Sequence, residues 1–163
     1  MKKTLSALLI LMIALTWLTS AGAEQTINNC PIPDDMKIVA PDKNEVPPKL
    51  ALLSGIWEGN WGPMSVLFIV EKILKDEVVV IHSYSGGRLT KFKSIEPKYF
   101  RKKCPVELGD DGNYRIIMEL KAGTNRLIQI NDPNSIRVVR EGFTGSGWTA
   151  DMKDSMFRRK EMK

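Results

Sequence analysis

Leu53-Ser54-Gly55-Ile56-Trp57-Glu58-Gly59-Asn60-Trp61-Gly62 is the stretch on which the reading of this chain turns. Gly55 halts a short apolar turn at residues 49–54 and opens a strand at residues 56–61. Side chains alternate between the two faces of a strand, so Trp57 and Trp61, four positions apart, share one side. Two indoles on one face of a first strand call for a core to bury them.

The residues that follow supply such a core as one strand after another. Apolar or β-branched runs at 64–74, 77–84, 89–95, 99–104, 114–121, 126–130, 135–141 and 156–160 are separated by turn residues. Gly109-Asp110-Asp111-Gly112-Asn113 and Ala122-Gly123-Thr124-Asn125 are the clearest turns. No helical period of any length interrupts the series. It predicts an all-β domain: an antiparallel up-and-down barrel of about eight strands. Tyr114, Ile116, Met118 and Leu120 alternate with Arg115, Ile117, Glu119 and Lys121, as a half-buried strand requires. Residues 64–70 are apolar on both faces, so something must cover that strand from outside.

Before Gly55 the chain has a different character. Residues 24–49 carry five prolines, Pro31, Pro33, Pro41, Pro47 and Pro48, and predict an extended arm over the domain at residues 50–163. Residues 1–23 combine Lys2 and Lys3, an apolar run at 5–18 and Ala21-Gly22-Ala23, the pattern of a cleaved signal peptide. Its removal takes the formal charge from +5 to +3 and leaves 140 of 163 residues. The expected location is periplasmic or secreted, in the style of a bacterial envelope protein. In an oxidising compartment Cys30 and Cys104, the two cysteines of the chain, are expected to form a disulfide tying the arm to the barrel.

A short apolar turn, a Gly-x-Trp first strand at Gly55-Ile56-Trp57 and an antiparallel meander resemble the calycin group, the lipocalins and their lipocalin-like bacterial relatives. The resemblance implies that Trp57 closes one end of the barrel beneath a late basic side chain. Arg158 or Arg159 would play that part, Arg158 foremost and Arg140 as a further candidate. It also implies a non-enzymatic protein that encloses a small apolar or amphipathic ligand.

Candidate site residues follow from strand phase. Phe68, Tyr84 and Met118 fall on faces expected to line the interior; Trp61 or Trp148, near loop ends, would line a ligand mouth, and Trp148 follows a flexible glycine-rich loop at 142–147 that could act as a lid. Arg140 continues the phase of Ile136 and Val138 and would hold a carboxylate through a charge-assisted contact. His82 and Ser83 are strand neighbours pointing to opposite faces, which removes them as a nucleophile and base pair. Two isolated cysteines and one histidine give no metal-ligand spacing, so neither metal nor cofactor is expected. The basic runs Lys91-Phe92-Lys93 and Arg101-Lys102-Lys103 sit among acidic residues. They point to a solvated face or peripheral contact with the envelope, not to nucleic acid.

Two functional readings remain open. An apolar cavity of roughly 300 Å3 or more would favour ligand binding. An interior filled by Trp57, Phe68, Tyr114 and Met118 would favour an envelope interaction protein, an inhibitor or assembly factor whose loops bind a partner.

Overall fold

The computed structural model describes residues 25–90, 93–119, 125–144, 147–149 and 155–161. The expected signal peptide therefore lies outside the described residues. The arm begins with two short strands, β1 (Thr26–Ile27) and β2 (Cys30–Pro31), and leads into a one-turn helix, α1 (Pro48–Ala51). Pro47 and Pro48 fix the backbone where this turn begins, and Leu50 and Leu53 bury their side chains completely.

Eight strands then close into an all-antiparallel barrel. They are β3 (Gly55–Trp61), β4 (Met64–Ile73), β5 (Glu77–Tyr84), β8 (Lys98–Leu108), β9 (Tyr114–Glu119), β10 (Asn125–Asp132), β11 (Ser135–Thr144) and β13 (Ser155–Lys160). Each pairs with the next in that order, and β13 returns to pair with β3 through Arg159 opposite Trp57. Closure leaves the sheet without free ends, which is why a meander of short strands is stable here. The run expected as a strand at 89–95 does not join the wall. It forms a separate hairpin of β6 (Gly87–Thr90) and β7 (Lys93–Ile95). The short strand β12 (Gly147–Thr149) pairs only with the end of β11 among the described residues.

Strand alternation sorts the apolar residues into two cores. Trp57, Val66, Phe68, Val70, Val80, Ile116, Met118, Ile128, Ile136, Val138 and Phe157 fill the interior with Leu50 and Leu53. Ile56, Leu67, Ile69 and Ile81 point outward and would be wetted if the arm did not cover them with Cys30, Ile32, Met36 and Ile38. The proline-rich arm is thus the outer cover that the two-faced β4 required. Alternation puts Glu71 on this outer side, where it is buried, and a bulge between Val70 and Lys72 resets the phase so that Ile73 returns to the inner core. Arg101 clamps the seam: its guanidinium is 2.8 Å from Glu71 and 2.9 Å from Asp35 of the arm.

The expected disulfide is absent. Cys30 lies in the outer core and Cys104 in the inner one, on opposite sides of the wall, and both thiols are free and buried. Cys30 Sγ donates to the Ser65 carbonyl at 3.3 Å. Burial pushes both thiols up to about 11. Compartment and cysteine number suggested a bridge, but strand phase separates the partners.

Candidate functional site

The closed end is built around Trp57. Its indole Nε1 donates to the Leu53 carbonyl at 2.8 Å, locking the ring to the turn that plugs the barrel. The guanidinium over the ring is that of Arg159, 4.3 Å from the ring centre, and not that of Arg158. Arg159 also donates to the carbonyls of Leu52, Ser54 at 2.8 Å and Pro133 at 3.1 Å. The reason is phase: Arg159 stands opposite the inward Trp57, whereas Arg158 stands opposite Glu58 on the outer face and is exposed. Gly55 is required at this point. Its φ of +124° suits glycine, and an added Cβ would come within 2.9 Å of Arg159 Nη1.

The closed half and the middle of the barrel are filled. Trp57, Phe68 and Met118 are buried in one contiguous cluster against which Tyr114 packs. Phe157 lies so close to β3 that a Cβ on Gly59 would meet its ring at 2.7 Å.

The open half is lined differently. Trp61, Phe68, His82, Tyr84, Phe100 and Phe157 form a continuous set of rings on the inward face. Phe68 stacks on His82 at 4.8 Å, and Trp61 approaches His82 at 5.4 Å and Phe157 at 6.1 Å. Tyr84 and Phe100 continue the set toward the rim, 6.2 Å apart, with Phe100 stacked 6.3 Å from His82. Register explains the convergence: Phe68 is opposite His82 and His82 is opposite Phe100, so one cross-strand row carries all three. The set grades from buried Phe68 to Phe100, which is 37% exposed although it faces inward. Lys98 lies over the Phe100 ring at 5.0 Å. Aromatic faces graded from dry to wet, with a cation at the wet end, suit a ligand with an apolar body and an anionic head.

Among the sequence candidates, Phe68 and Tyr84 therefore belong to this ring set. Met118 is buried on the neighbouring wall, opposite Arg126, and Arg126 is in turn opposite Arg140. The β9–β10–β11 row at the open end thus reads Met118, Arg126, Arg140. The side chain of Arg140, the expected carboxylate anchor, lies outside the described ones. Trp148 stands opposite Phe143 on β12, and residues 145–146 of its expected lid lie outside the described residues. Lys91 and Phe92 lie outside them as well.

Strand reading alone missed Phe100 and Lys98 as site residues; Trp61, on the face of Trp57 and near a loop end, was the mouth candidate that joins them. Phe100 was hidden in a run that read as basic. His82 lies inside the ring set, while Ser83 Oγ faces the arm and donates to the Pro31 carbonyl at 2.6 Å. A depression of about 460 Å3 at the opposite end is lined by Leu74, Lys75, Asp76, Glu77, Lys103 and Pro105, and an ion pair of 2.8 Å between Lys103 and Glu77 occupies its wall.

Compared with protein-family models, with curated proteins and with solved structures, the chain matches none.

Proposed function

We propose that this protein is an exported, non-enzymatic, lipocalin-like binding protein for a small amphipathic anion, held at the barrel mouth and not deep in the lumen. The observation that carries the reading is the graded ring set from Phe68 to Phe100, capped by Lys98, on the inward face of the open half. An acyl or aromatic body would lie against Trp61, Tyr84 and Phe100, and its acidic head would meet Lys98. Kinship with the calycin group draws support from Arg159 over Trp57, the closure that Gly55-Ile56-Trp57 implies. Export draws its support from residues 1–23.

The test is a titration with dodecanoate, followed by calorimetry, on the wild type and on Phe100→Ala. Saturable binding, weakened about tenfold by loss of the ring, supports the reading; equal binding by both proteins, or none by either, overturns it.

A second reading has its own observation. Trp57, Phe68, Met118 and Tyr114 together fill the middle of the barrel, as expected of an envelope inhibitor or assembly factor that binds a protein partner through its loops.

A further inference from the structure

The rim strand that carries Phe100 departs from the rest of the wall. Among the described residues the β8–β9 ladder joins Val106–Leu108 to Tyr114–Ile116, and Lys98–Pro105, which run to the barrel mouth, are laddered to β5. Lys102 Nζ reaches across this seam to the Glu119 carbonyl at 2.6 Å.

The side chains of this rim say what docks. In Lys98-Tyr99-Phe100-Arg101-Lys102-Lys103 the two central aromatics point to opposite faces, yet Tyr99 is 36% and Phe100 37% exposed. Arg101 and Lys103 are engaged with carboxylates, Arg101 with Asp35 and Glu71, and Lys103 with Glu77. Lys98 and Lys102 touch only a ring and a carbonyl among the described contacts. Set against exposed Glu96, the rim is left net positive. Exposed aromatics flanked by lysines on a ridge are the composition that settles at the boundary between lipid headgroups and acyl chains.

We infer that the Lys98–Lys102 rim of β8 docks the barrel mouth on an anionic phospholipid surface. The inference builds on the proposed ligand reading, because the docked rim is also the rim of the ring set. A mouth held against a bilayer would exchange an amphipathic anion with it without passing the anion through bulk water.

The test is co-sedimentation of the protein beginning at Glu24, which holds every described residue of arm and barrel. Vesicles of phosphatidylcholine with 30 mole per cent phosphatidylglycerol are compared with vesicles of phosphatidylcholine alone (on the order of a biological anionic fraction). The expected result is salt-sensitive binding to the anionic vesicles only. Lys98→Gln/Lys102→Gln should weaken it roughly 30-fold, and Tyr99→Ser, outside the ring set, should weaken it several-fold without changing dodecanoate binding in solution. The denaturation midpoint of each variant checks its folding. Binding to neutral vesicles as strong as to anionic ones, or an unimpaired double-lysine variant, overturns the inference. So does an unaffected Tyr99→Ser, which would assign the rim to a soluble or wall polyanion. Dodecanoate binding without vesicle binding would sink the docking surface alone; vesicle binding without dodecanoate binding would sink the ligand reading alone.

Discussion

Replacing Arg159 by alanine should destabilise the barrel far more than replacing its neighbour Arg158. Arg159 gives up a guanidinium stacked 4.3 Å over Trp57, on the order of 1 kcal/mol for a partly desolvated pair. It also leaves the carbonyls of Leu52 and Ser54 without their donor, about 1 kcal/mol for each. The sum is about 3 kcal/mol, with some return from water reaching the vacated carbonyls. Burial lowers the pKa of Arg159, a desolvation cost that the variant no longer bears and that trims the loss further. Arg158 is exposed on the outer face, and its removal should change stability by no more than about 0.5 kcal/mol. Urea unfolding followed by tryptophan fluorescence measures both. Arg159→Lys should recover only a part, because an ammonium cannot hold ring and carbonyls together. Equal stabilities for the two alanine variants would refute the reasoning about strand phase at the closed end.

Further outcomes can be checked with similar means. Gly59→Val should cost on the order of 1–3 kcal/mol, because the new side chain overlaps the Phe157 ring; unfolding curves report it. Cys30 and Cys104 should resist a thiol reagent at pH 8 in the native protein, and both should react after unfolding without any reductant. With folded values raised from 9.0 to about 11, the folded chain keeps protons that the unfolded chain releases, so stability should fall as pH rises from about 9 to about 11. The Arg101 guanidinium holds the Asp35 carboxyl below its ordinary 3.8. That contribution is complete above pH 3.8 and is lost as pH falls through the lowered value, so limited proteolysis should find the arm released first in acid.

Much of the fold was legible because β-structure writes its burial in a period of two. Tyr114, Ile116 and Met118 announced their inward face directly, and apolar residues on both faces of β4 announced the outer cover that the arm supplies. Three things were not legible, each for a physical reason. Met156 and Phe157 are both apolar, so the phase of the last strand was ambiguous until its register set Arg159 opposite Trp57. The cysteine pairing failed because one-dimensional spacing does not say which side of a closed wall a residue occupies. The ring set needed the β4–β5–β8 register, which brings Phe68, His82 and Phe100 into one row from strands up to 32 positions apart. The candidate site was thus half visible: Phe68 and Tyr84 from strand phase and Trp61 from its place near a loop end, Phe100 and Lys98 only from pairing.

The measurement closest to the central claim is a titration of isotope-labelled protein with dodecanoate, read at the indole NH signals of Trp57 and Trp61. The two rings share a strand face but lie toward opposite ends of the barrel, one sealed under Arg159 and one in the mouth. The prediction is a saturable shift of the Trp61 signal, with those of Tyr84 and Phe100, while Trp57 stays where it is. A shift of Trp57 matching that of Trp61 would mean a ligand reaching the closed end. A Trp61 signal unmoved at saturating dodecanoate would contradict a binding site at the mouth.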